Sequence, residues 1–186
     1  MKPSTLAFID GQNLHLGLKA EGWSVDLRRL RVFLQDKFGV KEAYYFLGYL
    51  DDQQQDLYTM LQKSGFILCF REHNSLLLGK KKGNVDVDIV FAMMKSLIDT
   101  PEIQEKIILL SSDGDYKRVV EYLIKKEKFE KLIFPTKNPS SLYKKLGNKR
   151  VYYLGNAKSK IQYKKKGIVE HSHSSEPFRH NTLSNI

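Results

Sequence analysis

Cysteine occurs once in the 186 residues, at Cys69, so the chain cannot form an internal disulfide. Cys69 sits within the apolar run Phe66-Ile67-Leu68-Cys69-Phe70 and reads as a buried thiol. No apolar run approaches the ~20 residues a membrane span needs, which excludes a spanning segment. Met1-Lys2-Pro3-Ser4 leads straight into a predicted strand without a signal-peptide pattern, so the cytoplasm is the expected compartment. Glycine-rich phosphate loops are missing too. Asp10-Gly11-Gln12-Asn13 after the first apolar run fits neither the dinucleotide-binding fingerprint nor the P-loop. An aspartate-phosphatase motif would place a second Asp two residues after the first, where this chain has Gln12. A response-regulator-like site would want an acidic pair at the first strand's end, and there is none. No internal repeat is evident. Acidic residues are in the minority, 21 against 31 Lys and Arg, giving a net charge of +10. That imbalance points to a polyanionic partner, nucleic acid foremost. Its plainer alternative is a solvated, Lys-rich surface.

What is present is a pattern of alternation. Strand-like runs are predicted at 5–10, 42–50, 66–71, 106–111, 130–134 and 151–154. Helices are predicted near 12–20, 26–38, 52–64, 85–99, 115–127 and 139–147. The helical segments carry apolar residues at three- and four-residue spacing, as in Leu27, Leu30, Phe33 and Leu34. Asp26 suits the N-cap of that helix and Gly39 the position just past its end. Such alternation argues for an α/β fold, with a mainly parallel sheet covered by helices on both faces. The stretch 72–84, with Leu76-Leu77-Leu78, breaks the pattern and reads as a small extra strand or flap. From Ala157 to Ile186 apolar residues become sparse, so 157–186 reads as a basic, disordered tail behind a domain at 1–156. His171 and His173 lie in that tail and by themselves offer too few fixed ligands for a metal.

The scarce acids are placed where elements end. Asp10 closes Leu6-Ala7-Phe8-Ile9, Asp113 and Asp115 follow Ile107-Ile108-Leu109-Leu110 across two serines, and Asp86 and Asp88 open the helix at 85–99. Each has a purely structural alternative. Asp10 can cap a helix, Asp86 and Asp88 can answer a helix dipole, and Ser112-Asp113-Gly114-Asp115 can be a turn with a cap. Two residues apart on a helix, Asp86 and Asp88 point roughly 200° apart, so only one can face a common site. In an open parallel sheet the ligand crevice lies beyond the strands' carboxyl ends, where the chain order reverses. Carboxylates gathered there repel one another and resist ionisation unless a cation sits among them. An acidic pocket on a basic protein is the signature of an enzyme that holds a polyanion and cuts it.

Three segments carry a family likeness: Phe8-Ile9-Asp10-Gly11-Gln12-Asn13-Leu14, Lys82-Gly83-Asn84-Val85-Asp86-Val87, and Leu110-Ser111-Ser112-Asp113-Gly114-Asp115-Tyr116. In order, spacing and context they resemble the NYN domain, a branch of the PIN-like nuclease superfamily, over roughly residues 5–155. The resemblance implies a Rossmann-like three-layer α/β/α sandwich and a metal-dependent ribonuclease, an endoribonuclease in its expected form. It implies Mg²⁺ or Mn²⁺ held by Asp10, Asp86, Asp113 and Asp115, with Asn13 as a polar neighbour in the catalytic group and RNA as partner. Capping of the helix that follows is the structural alternative for Asn13. Lys80-Lys81-Lys82 directly precede the second motif and are expected to hold substrate phosphates. Hydrated lysines on an exposed loop are their plainer reading. Other nucleic acids and a homo-oligomer stay open. One departure stands out: many relatives carry another Asp about a turn into the helix after the second motif, where this chain has Phe91 and Ala92. It keeps alive a rival reading, an RNA-binding or adaptor module that does not cut.

Overall fold

The computed structural model describes residues 4–71, 85–99 and 105–164. Its centre is a six-stranded sheet of β1 (Thr5–Asp10), β2 (Val40–Leu47), β3 (Ile67–Phe70), β4 (Lys106–Leu110), β5 (Phe129–Phe134) and β6 (Val151–Tyr153). The strand order is β3-β2-β1-β4-β5-β6, and every pairing is parallel. Parallel neighbours need crossovers, supplied by α1 (Gly11–Ala20) with α2 (Leu27–Phe38), α3 (Gln55–Lys63), α4 (Asp86–Ile98) and α5 (Lys117–Lys125). The expected three-layer α/β/α sandwich is the fold.

The central strands explain themselves. All six residues of β1 are buried, because helices cover the sheet on both sides and neither face meets water. One core joins Ile9, Leu14, Leu18, Leu30, Leu34 and Leu61, under α1, α2 and α3. The other joins Phe8, Ile89, Met93, Leu109, Tyr116 and Val120, under α4 and α5. Each fully buried aliphatic or Phe side chain stabilises the fold by about 1.5–3 kcal/mol. Helix α2 starts and stops as its sequence dictates. Asp26 accepts a hydrogen bond from Arg29 N at 3.1 Å, and Gly39 ends the helix in the left-handed region at φ 70°.

Some expectations give way. The segment 139–147 forms a single 3-10 turn, Ser141–Tyr143, with a second at Asn148–Arg150. Asn138-Pro139-Ser140-Ser141 at one end and Gly147-Asn148 at the other favour turns over a continuous α-helix. Strand β2 runs from Val40 to Leu47 and stops before Gly48, where it was expected to continue to residue 50. Cys69 is half-buried, with burial pushing its thiol pKa upward. The packed chain also runs past residue 156. Helix α6 (Lys158–Ile161) buries Ile161 against α2, Asp26 N donates to Ile161 O at 2.8 Å, and Gln162 bridges Val25. Leu154, Ala157 and Ile161 have helical three-and-four spacing, and all three are buried. Residues 72–84, including Lys80, Lys81 and Lys82, lie outside the described residues, as do His171, His173 and the rest of the tail from Lys165. Among the described residues no helix is long and apolar enough to cross a membrane.

Candidate functional site

In the order β3-β2-β1-β4-β5-β6 the chain reverses direction between β1 and β4, and the crevice beyond their carboxyl ends is the ligand position of such sheets. The three acidic segments arrive there by three routes. Asp10 is the last residue of β1, Asp113 and Asp115 lie in the loop and 3-10 turn after β4, and Asp86 opens α4, the crossover between β3 and β4.

Asp86, Asp113 and Asp115 each offer one carboxylate oxygen, and these atoms lie within 4.8 Å of one another. Asp86 and Asp113 are half-buried and Asp115 is exposed, so the trio faces outward from the sheet edge. Three hard oxygen donors on an open face suit a divalent cation that takes oxygen ligands and keeps some of its waters. Such a cation could bind here. Asp88 stands outside the group, as its direction along the helix requires.

Asp10 reaches the same edge and shares the Tyr116 hydroxyl with Asp86, but it is not one of the trio. It is 5% exposed and lies behind the trio. Its Oδ1 accepts from Asn13 N at 2.9 Å, capping α1, and its Oδ2 faces the hydroxyls of Tyr116 at 3.2 Å and Ser111 at 3.5 Å. Burial pushes its carboxyl pKa upward; the Asn13 N–H opposes this, and the charges of Asp86 and Asp113 add to it. Gly11 follows because nothing larger fits: a Cβ there would lie 2.4 Å from the Tyr45 ring and 2.6 Å from Phe46 O.

Asn13 does not cap the helix. Its Oδ1 accepts from Ser112 N at 2.8 Å and from the Ser112 hydroxyl at 2.9 Å, binding the first turn of α1 to the loop after β4. Ser111 adds to the same tie, since its Oγ accepts from Asp113 N at 3.1 Å. Asp113 in turn accepts from Asp115 N at 3.0 Å, and its carbonyl receives the Tyr143 hydroxyl at 2.5 Å. The loop carrying two carboxylates is therefore fixed at both ends.

Tyr116 is the residue of the candidate site that sequence reasoning passed over. Fully buried, its hydroxyl lies 2.5 Å from Asp86 Oδ1 and 3.2 Å from Asp10 Oδ2, bridging the buried carboxylate and the outer trio. Burial and the two flanking carboxylates drive its pKa far above the ordinary phenol value, so it stays a donor at neutral pH. Its position at the end of the third motif was the available signal. Tyr116→Phe keeps the ring's volume and removes the hydroxyl that Asp10 and Asp86 share. Outer partners of metal ligands typically contribute 10–100-fold in affinity. We expect roughly that rise in the metal concentration needed for half-maximal thermal stabilisation. An unchanged metal titration would show that the hydroxyl only fills space.

The profile of the NYN domain matches residues 4–155. The chain belongs to the NYN domain family. It is 30% identical over 136 residues to the low amplitude and bright protein LabA of Synechococcus elongatus, a match covering 68% of this chain and 71% of LabA. It also resembles the crystal structure of a protein of unknown function from Vibrio parahaemolyticus, with a TM-score of 0.57 and 20% identity. That likeness covers 72% of this chain and 82% of the other, and at this identity it bears on the fold alone.

Proposed function

We propose that this NYN domain is a ribonuclease that hydrolyses RNA phosphodiester bonds with Mg²⁺ or Mn²⁺ held by Asp86, Asp113 and Asp115, and with Asp10 behind them. The observation carrying this reading is the three-carboxylate group on the ligand edge of the sheet, on a chain with a net charge of +10. Bound there, the cation would lower the pKa of an attacking water and offset the charge that builds on the phosphate. The protein's own part is positional. Asp113 and Asp115 are held by the 3-10 turn and by Ser111, Asn13 and Tyr143. Asp86 is fixed by the first turn of α4 and by the Tyr116 hydroxyl. The carbonyl oxygen of Asn13 is committed to Ser112, so only its amide NH₂ is left to meet a phosphate or water.

The rival reading, an RNA-binding or adaptor module without cleavage, draws on Phe91, which stands exposed on α4 near the position where many relatives carry a further Asp. Metal separates the two. The purified chain is incubated with single-stranded and structured RNA in Mg²⁺, in Mn²⁺ or in chelator, and its melting temperature is followed in parallel. A nuclease cleaves only with metal and melts higher with it; an adaptor binds RNA equally in chelator and cleaves nothing.

Lys80, Lys81 and Lys82, outside the described residues, remain the proposed phosphate contacts. Neutralising one phosphate on a single strand gives a slope of about −0.7 in log affinity against log salt. Replacing all three by Ala is expected to flatten the salt slope by roughly 2 and to slow cleavage. Identical slopes for the wild type and the triple variant would remove these lysines from the RNA path.

A further inference from the structure

On the side of α1 away from the carboxylates lies a cleft of about 1000 Å³. We propose that it receives an unstacked base of single-stranded RNA next to the scissile phosphate, a role that rests on the nuclease reading above. Its position is the first argument. Gly11 and Gln12, the two residues immediately after Asp10, form the near wall, so the first turn of α1 separates the cleft from the acidic group. A helix with its side chains is roughly 10 Å across, so one strand can pass over it and place a phosphate on one side and a base on the other.

The lining is the second argument. Its lining includes Trp23 after α1, Tyr45 on β2, Tyr49 from the segment between β2 and α3, and Tyr58 on α3. Leu50 and Met60 line the same cleft and are 57% and 50% exposed, which leaves apolar surface facing water at its mouth. Around this aromatic and apolar interior stand groups that can hydrogen-bond a base edge, Gln12 and His15 on α1 and Gln54 opposite, while Lys19 supplies positive charge. The Arg71 guanidinium lies 5.8 Å from the centre of the Tyr49 ring, adding a second cation beside an aromatic face. Stacking surface with a few polar groups and cations at the edge is how proteins take unpaired bases of RNA, whereas a duplex keeps its bases out of reach. The volume is at the upper end of pockets for one small organic ligand, so a nucleobase with its ribose enters without filling it.

Fluorescence anisotropy of a labelled single-stranded oligoribonucleotide, on the full chain in chelator, tests this directly. Abasic sites are moved along the oligonucleotide one position at a time. One stacked base typically contributes enough that its loss costs on the order of tenfold in affinity. We expect that loss at one or two positions, the same loss from Tyr49→Leu, and no further loss when the two are combined. Tyr49→Phe keeps the ring and should match the wild type. Met60→Glu, at a half-exposed position that tolerates change, should weaken binding with an unaltered circular dichroism spectrum, while Leu16→Ala, exposed on α1 outside the cleft, should have no effect. With metal present, Tyr49→Leu should raise KM and leave kcat unchanged. A featureless abasic scan on a chain that still cleaves RNA overturns the cleft and spares the nuclease reading. Base-dependent binding by a chain that never cleaves does the reverse. A changed sedimentation coefficient for Tyr49→Leu or Met60→Glu with unaltered RNA affinity would make the cleft a contact between copies and overturn the proposal.

Discussion

Asp113→Asn and Asp86→Asn are each expected to lower metal-dependent RNA cleavage by roughly 100-fold or more, beyond the 10–100-fold typical of losing an outer partner. Each removes one of three carboxylates whose oxygens lie within 4.8 Å of one another. Asn offers a neutral oxygen in the same place, so packing is kept while the charge that recruits the cation is lost. RNA affinity should move the other way or stay level. A carboxylate near a phosphate repels it by about 1 kcal/mol at 4 Å in water, and each substitution takes that repulsion away. The measurement pairs single-turnover cleavage with binding in chelator, using Asp36→Asn on the exposed face of α2 as the control. Cleavage that survives in both variants would move the chemistry to another site or another protein.

Asp115 makes the same argument more sharply. It is the exposed member of the trio, held by a backbone hydrogen bond to Asp113 and open to solvent. Because that carboxylate is exposed, Asp115→Asn should leave the melting temperature in chelator unchanged, and a loss of cleavage would then report on the cation and not on folding.

The fold was legible because its signals are local. The central strands β1 and β4, buried on both faces, read as nearly unbroken apolar runs, and the helices between strands carry their spacing and caps openly. The order β3-β2-β1-β4-β5-β6 follows once β1 and β4 are made neighbours, and that is what brought Asp10 and Asp113 to one edge on paper. Depth was not legible. Nothing in Phe8-Ile9-Asp10-Gly11 says that the Asp10 carboxylate turns into the protein while that of Asp115 turns out. That is decided by the close approach of α1 to β2 at Gly11 and by the hydroxyls of Ser111 and Tyr116 coming from across the sheet. Tyr116 looked like one more apolar member of a motif, because its hydroxyl gains meaning only when Asp10 and Asp86, 106 and 30 residues away, meet over it. Helix α6 was missed for the opposite reason. Ile161 and the buried Leu154 and Ala157 of the 3-10 turn before it are spaced three and four apart, but they sit beside lysines at the edge of a polar tail, and composition outweighed spacing.

The buried position of Asp10 sets function against stability, and pH exposes the conflict. In the metal-free protein its pKa is raised, chiefly by burial, while in the unfolded chain it returns to about 3.8. Above that unfolded value the native state holds more of the proton than the unfolded state does, so this group makes stability fall as pH rises. The stability it contributes is complete below the unfolded pKa and is lost as pH passes through the higher folded value. Asn at position 10 escapes this dependence. It caps a helix about as well as Asp, can still accept from Asn13 N, and can donate to the Ser111 or Tyr116 oxygen. Metal-free Asp10→Asn is therefore expected to melt above the wild type at pH 7, with the gap closing as pH falls toward 4. Adding Mg²⁺ or Mn²⁺ should reverse the ranking. A ligand at 100 times its dissociation constant stabilises the native state by about 2.7 kcal/mol, and the variant, with less negative charge behind the trio, should gain less and cleave slowly. Melting curves from pH 4 to 8, with metal and with chelator, test both halves at once. A wild type that stays the more stable protein in chelator across that range would mean that the carboxylate is better solvated than its position at the end of β1 allows.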